Sequence, residues 1–260
     1  MRVDPAFARL AILVGDAAMQ RFTRTRIILF GIGGVGSWCA EALIRSGIGH
    51  LTIVDSDRIC TTNINRQLEA TTESIGRIKV DELSSRFCAI NPNAEIIARH
   101  EAYTRDSAER FDLCSYDYVI DAIDTLSCKI ELIIRAGESS GVFYSALGAS
   151  ARLDPSRIKS GSIWETRGCR LGRFVRKRLR KRGFAGDYLC VYSDEYNDAR
   201  GDSFPCGRTE CEKADENSAQ SDEPEGCSSS GVVNGSALHM TGIFGFQLAG
   251  LVIGDIVKKS

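Results

Sequence analysis

The stretch LFGIGGVGSWCAEALIRSGIGHLTIVDSD, residues 29–57, constrains the fold of this chain more than any other. The apolar run Ile27 to Phe30 reads as a buried strand. Gly31, Gly33 and Gly36 then spell G-x-G-x-x-G, a turn tight enough to bring backbone against a phosphate, and a helix follows through Ile44. A second strand, Leu51 to Val54, leads into Asp55 and Asp57. Together these form a β-α-β unit whose helix start offers unpaired N–H groups and a positive dipole end to an anion. Asp55 lies 19 residues after Gly36, where a strand-end carboxylate can accept hydrogen bonds from ribose hydroxyls. On this unit alone, an NAD-dependent oxidoreductase fits as well as any other nucleotide enzyme.

The same alternation continues downstream. Val80, Leu83, Phe87 and Ile90 mark one face of a helix that stops at Asn91-Pro92. Strands Glu95 to Ala98 and Tyr118 to Asp121, a helix carrying Leu126, Ile130 and Ile133, and a strand Val142 to Ala146 follow. Upstream, Asp4 caps a helix with Pro5 at its first position, and Phe7, Leu10, Leu13 and Val14 recur at helical spacing. The expected fold class is α/β: a Rossmann-like, doubly wound, mostly parallel sheet, with an N-terminal helix and a C-terminal extension of short strands and helices. The 260 residues suit one domain, with a nucleotide-binding core over 1–147 and a substrate-side extension over 148–260.

Charge is balanced overall but not locally. Net charge is −1, with seven Lys or Arg in residues 173–182 (RFVRKRLRKR) and eleven Asp or Glu against three Lys or Arg in residues 194–225. The acidic segment is expected to be a flexible surface loop over about 194–230. The basic run, Arg173, Arg176, Lys177, Arg178, Arg180, Lys181 and Arg182, reads either as a solvated amphipathic helix or as a surface that tracks RNA phosphates. The ten cysteines include no C-x-x-C pair, and the beginning MRVDPAFARL lacks the apolar core of a signal peptide, so reduced thiols in a cytoplasmic protein are expected. The charge-free stretch from Gly226 to Gly254 includes an apolar part, Ile243 to Ile253, about half the roughly 20 residues that a membrane span needs. A buried or interface helix is the expectation there, and peripheral membrane association is not.

The residues after the glycine unit decide which nucleotide chemistry to expect. TTNINRQ at 61–67, GRIK at 76–79 and VIDAID at 119–124 add an Arg, a Lys and a carboxylate to the phosphate turn. Hydride transfer has no need of cations converging on phosphates, whereas splitting ATP between its α and β phosphates needs them and a metal. The cluster points to adenylation.

These motifs, in this order, resemble the ubiquitin-activating-like adenylating enzymes, the group containing ThiF, MoeB and HesA. FARLAILVGDAAMQRF, GIGGVGSWCAEALIRSGIG, CTTNINRQ, VYSDE and NGSALHMTGIFGFQLAGLVIGD are more closely similar to the tRNA threonylcarbamoyladenosine dehydratases. The resemblance implies that Gly31, Gly33, Gly34 and Gly36 cradle ATP, that Asp55 holds the ribose, and that Asn63 and Arg66, with Gln67, serve the phosphates. It implies further that Lys79 stabilises charge on the reacting phosphates and that Asp124 holds Mg2+. Arg9 matches an arginine that in this family reaches the ATP of the partner subunit, which implies a homodimer. Thr125 stands where many relatives have Asn.

Relatives that activate sulfur-carrier proteins usually carry two C-x-x-C pairs for zinc, and their absence here weakens that reading. Cys206, Cys211 and Cys227 have no zinc-like spacing. Cys227, just before the last helix, is a possible acceptor thiol, although no neighbouring His or basic residue marks it for activation. The expected function is ATP-dependent dehydration and cyclisation of threonylcarbamoyladenosine next to the anticodon of tRNA, through an acyl-adenylate, with AMP and pyrophosphate released. The alternatives are adenylation of the C-terminal glycine of a small ubiquitin-like or sulfur-carrier protein, an NAD-dependent oxidoreductase, and a non-catalytic ATP-binding scaffold. A sulfur-transfer protein is a possible partner.

Overall fold

The computed structural model describes residues 4–196 and 234–260. Cys206, Cys211 and Cys227, and all but the first three residues of the expected flexible loop, lie outside the described residues.

Seven strands form one sheet in the order β3-β2-β1-β4-β5-β7-β6. They are β1 (Arg26–Phe30), β2 (His50–Val54), β3 (Glu95–Arg99), β4 (Tyr118–Asp121), β5 (Val142–Ala146), β6 (Ile158–Ser162) and β7 (Leu189–Ser193). All pairings are parallel except that of β6 with β7. The central strands read as near-continuous apolar runs because both of their faces are covered. Ile27 and Leu29 of β1 enter the core on one face, while Ile28 and Phe30 enter the core on the other.

Among the described residues the α-helices are α1 (Ala8–Val14), α2 (Asp16–Arg24), α3 (Gly36–Arg45), α4 (Lys79–Ile90), α5 (Leu126–Gly137), α6 (Arg170–Lys181) and α7 (Leu238–Lys258). The first core is closed by Cys39, Leu43 and Ile44 of α3, Val80, Leu83 and Phe87 of α4, and Met240, Phe244, Leu248 and Val252 of α7. Ile130 and Ile133 of α5 and Val175 and Leu179 of α6 close the second. This is the doubly wound arrangement expected, with the added finding that the two strands beyond residue 148 extend the same sheet past β5. β6, IKSGS, lacks the apolar density of the central strands because it is an edge, whereas β7, LCVYS, lies between β5 and β6 and is largely apolar.

At the N-terminus two helices, separated at Gly15, stand where one was expected. Phe7, Leu10 and Val14 pack on the core, but Leu13 is 80% exposed and Ile12 87%. A helix of two turns presents a narrow buried stripe, and Leu13 is rotated out of the stripe defined by positions 7, 10 and 14. Helix α7, with 21 residues, is long and apolar enough to cross a membrane by length and composition, yet half of its most apolar window is buried inside the protein. It packs along α3, where a Cβ on Gly245 would lie 2.5 Å from the Val35 carbonyl oxygen. The expectation of a buried helix holds in this packing.

Candidate nucleotide-binding site

Strand order reverses between β1 and β4, and the crevice outside their carboxyl ends is where doubly wound sheets bind ligands. The glycine turn sits there. Gly31 has φ 81° and faces the β4 exit so closely that a Cβ would lie 2.9 Å from the carbonyl carbon and oxygen of Ala122. A Cβ on Gly36 would lie 1.8 Å from the Gly31 carbonyl oxygen, so neither position can carry a side chain. The amides of Gly33, Gly34, Val35 and Gly36 make no hydrogen bond among the described residues, and α3 has no side-chain cap. Four unengaged donors at a helix start form an anion cradle.

The carboxylate of Asp55, just past β2, accepts from the amides of Ile32 at 2.9 Å and Asp57 at 2.8 Å. It therefore braces the glycine turn. Burial raises its pKa, against the opposing pull of Lys79. Lys79 opens α4 and is almost wholly buried; its Nζ donates to Asp57 Oδ2 at 2.7 Å. Burial disfavours its charge, but Asp55 and Asp57 outweigh that and hold the ammonium above its ordinary range. Lys79 is thus a fixed cation at the site.

The segment NINRQ wraps over the turn. Asn63 is buried and its Oδ1 accepts from the Cys60 amide at 3.0 Å, so its carbonyl end shapes the loop. Arg66 is anchored through its carbonyl, which accepts from Trp38 Nε1 of α3 at 3.0 Å, and its Cγ would lie 3.3 Å from a Cβ on Gly34. Its guanidinium donates to the Thr62 carbonyl and to Asn65 Oδ1, leaving donors for an anion. The Gln67 amide touches the space beside Gly33, and its buried Oε1 has no hydrogen-bond partner among the described residues. Asp124 is exposed on the turn after β4 and, among the described residues, accepts only a long, 3.4 Å bond from Thr125 Oγ1. An exposed oxygen donor beside a phosphate cradle suits Mg2+, a hard cation that binds through one or two carboxylates, phosphate oxygens and water.

One residue escaped the sequence reading. Glu69 is 3% exposed, neither carboxyl oxygen has a well-formed hydrogen bond among the described residues, and burial pushes its pKa to about 8 in spite of the nearby Lys79 and Arg66. Nothing in LEATTE distinguishes it from a surface glutamate, because burial of a polar side chain is a tertiary outcome.

Arg9 stands apart. It is exposed on α1, two residues after Phe7, and Phe7 lies against Gly47 at the opposite, amino-terminal end of the sheet. The fold brings Gly31 to Gly36, Asp55, Asn63, Arg66, Gln67, Lys79 and Asp124 to one crevice and leaves Arg9 away from it.

The basic run forms α6, whose start packs beside Leu147 at the same edge of the sheet as the glycine turn. Its seven cations are not equivalent. Arg176 is turned inward onto Thr166 Oγ1 and the Ile163 carbonyl, Arg182 pairs with Glu131 at 3.5 Å, and Arg180 lies over the Trp164 ring. Arg173, Lys177, Arg178 and Lys181 are exposed and make no ion pair among the described residues.

Comparison with known proteins gives the family and agrees on the fold. Residues 7–149 match the model of the ThiF family. The chain is 37% identical over 189 residues to the tRNA threonylcarbamoyladenosine dehydratase of Bacillus subtilis, covering 73% of this chain and 74% of that one. It is 33% identical over 268 residues to the dehydratase of the same name from Haemophilus influenzae, covering 98% and 95%. The solved structure of E. coli tRNA N6-threonylcarbamoyladenosine dehydratase, TcdA, in complex with ATP superposes with a TM-score of 0.81 at 28% identity, covering all of this chain and 98% of that one. With its glycine cradle, its buried lysine and relatives that match along nearly the whole length, this chain belongs to the ThiF family, in the branch of the tRNA threonylcarbamoyladenosine dehydratases.

Proposed function

We propose that the protein uses ATP to dehydrate and cyclise threonylcarbamoyladenosine in tRNA. The observation that carries this is the crevice: four unengaged amides, a strand-end aspartate, a buried lysine, an arginine and an exposed aspartate meet where β1 and β4 diverge. An oxidoreductase would have no use for the two cations and the second carboxylate.

The carboxylate of the threonyl group is a poor electrophile because its oxygen leaves badly. Its attack on the α-phosphorus of ATP forms an acyl-adenylate and breaks the bond to pyrophosphate. A nitrogen of the same modification then attacks the acyl carbon and loses its proton, and AMP departs with the former carboxylate oxygen. The net loss is one water. Nucleophile and electrophile occupy one molecule, so the second step benefits from a large effective molarity and needs no acceptor thiol or carrier protein.

In this scheme the amides of Gly33 to Gly36 hold the phosphates and Asp55 orients the ribose. Lys79 and Arg66 stabilise the negative charge that builds on the phosphates as the bond to pyrophosphate breaks. Asp124 would hold Mg2+, which supplies charge neutralisation to the phosphates when bound. The four exposed cations of α6, a helix whose start lies at the same edge of the sheet, would track the tRNA backbone.

Arg9 cannot reach the glycine turn of its own chain from the opposite end of the sheet, and it shares the exposed face of α1 with Ile12 and Leu13. Two large apolar side chains flanking a free arginine suit a contact in which one protomer completes the site of the other, which makes the working unit a homodimer.

The experiment is an assay of ATP conversion to AMP and pyrophosphate, with and without tRNA carrying threonylcarbamoyladenosine, followed by mass analysis of the nucleosides. AMP formation that depends on tRNA, with the nucleoside lighter by one water, is expected. AMP formation indifferent to tRNA would move the substrate to a protein C-terminus.

A further inference from the structure

Beneath the loop that bears Asp124 lies a charged cluster for which the adenylation chemistry has no direct use. Asp121 ends β4, Lys129 is in the first turn of α5, and both side chains are 0% exposed. Lys129 Nζ donates to Asp121 Oδ2 at 2.6 Å, to the Ala146 carbonyl at 2.9 Å and to Ser145 Oγ at 3.3 Å, which uses its three protons. The Ser145 hydroxyl donates to the same Oδ2 at 2.7 Å, and Oδ1 accepts from the Ile123 amide at 3.0 Å.

A buried ion pair is a poor way to gain stability, because desolvation offsets most of its attraction and an apolar pair of similar volume often does as well. What this one does gain is geometry. Asp121 and Lys129 stand at the two ends of segment 122–128, the loop after β4 and the first residues of α5, so their pairing clamps both ends, and Ala146 ties the clamp to β5. The same turn presses on the nucleotide cradle: the Ala122 amide donates to the Phe30 carbonyl at 2.8 Å, and the Ala122 carbonyl fills the space a side chain at Gly31 would need. Asp124 lies midway in the clamped segment with no strong side-chain partner of its own.

We propose that Lys129 is a positioning residue, which through Asp121 and Ser145 fixes the carboxylate of Asp124 relative to the glycine turn so that ATP and its divalent cation are bound together. The proposal rests on the nucleotide-site reading above but not on the identity of the acceptor. It predicts a selective defect. AMP, whose single phosphate needs only the cradle, binds without the clamp, whereas ATP with Mg2+ does not bind well.

Lys129→Met alone would strand a buried Asp121 and could unfold the chain, so the informative variant is the neutral pair Asp121→Asn with Lys129→Met, accompanied by the milder Ser145→Ala. Calorimetric titration with AMP, and with ATP across a range of Mg2+ concentrations, needs no tRNA. The expected result for the neutral pair is AMP affinity within about twofold of the parent and a Mg2+ requirement for ATP binding raised by roughly 10- to 100-fold, the usual cost of losing a group that orients a metal ligand. Ser145→Ala should move the same quantity in the same direction by a smaller factor. An unchanged Mg2+ requirement in a folded neutral pair, or in Ser145→Ala should the pair not fold, would overturn the proposal. So would equal losses of AMP and ATP affinity, which would make the cluster a general packing element. If the parent protein itself bound neither nucleotide, the nucleotide-site reading would be the one to fail.

Discussion

Two populations of cations differ in how the fold holds them, and they work under opposite physical regimes. Lys79 and Lys129 are buried and held by carboxylates at 2.7 and 2.6 Å, whereas Arg173, Lys177, Arg178 and Lys181 of α6 stand in solvent. A buried, paired cation has its position dictated by geometry and is little affected by salt. An exposed cation has no fixed position, contributes little to stability, and acts on a polyanion through a field that salt screens. The first kind can stabilise a transition state at a defined atom; the second can only gather and hold a substrate. On the proposed function, chemistry belongs to the crevice and capture to the helix.

The strongest test of this division is to remove a cation of each kind. Lys79→Ala and Arg66→Ala should each lower turnover by on the order of a hundredfold or more, as expected for loss of a preorganised donor to developing charge. Near-normal turnover in both would remove the assignment of the crevice. Neutralising Arg173, Lys177, Arg178 and Lys181 together should leave AMP binding intact and weaken tRNA binding. The slope of log affinity against log salt should fall by up to about 0.9 for each phosphate that is no longer neutralised. A slope identical to that of the parent would mean that tRNA does not lie along α6.

Glu69 extends the contrast to the anionic side, because it is buried without the firm pairing that Lys79 and Lys129 enjoy. Its folded pKa of about 8 lies above the ordinary 4.5, so the folded state binds the extra proton between these values. The stability this group contributes is therefore full below pH 4.5 and is lost as pH rises through about 8. Glu69→Gln should flatten that part of the profile and raise stability at pH 8 by on the order of a few kcal/mol. Parallel denaturation profiles for parent and variant over this window would show that Glu69 finds a partner in solution.

The smallest signal is expected from Arg9. Mixing Arg9→Ala with Lys79→Ala subunits creates some dimers with one complete site, so activity should recover partially, to at most about a quarter of the parent's per protomer in a random equal mixture. Recovery no greater than the sum of the two separate variants would argue against action across an interface.

Much of the site was legible because phosphate chemistry leaves local marks. Gly31 and Gly36 are where no Cβ fits, and Asp55 follows at the distance one β-α-β unit sets. Arg66, Lys79 and Asp124 were recognisable only in company with these, through the order in which the motifs recur. Strands β1, β2, β4 and β5 announced themselves as short apolar runs because both faces are covered. β6, mostly polar at the sheet edge, gave a weaker signal, and the break at Gly15 and the exposure of Leu13 gave none, since these depend on how α1 and α2 settle against each other and the core.

The doubly wound class, the glycine cradle and the residue types of the crevice are written in the order of the amino acids, because dihedral freedom, periodicity and motif spacing are properties of neighbouring residues. Which charges are buried is settled by tertiary structure. Only the folded chain brings Asp121, Lys129 and Ser145 together beneath the turn of Asp124, strips water from Glu69, turns Arg176 inward while Lys177 stays in solvent, and sets Arg9 at the far end of the sheet from its own glycine turn. Burial and pairing sum over elements far apart in the chain, and it is desolvation, not residue identity, that sets what each of these charges can do.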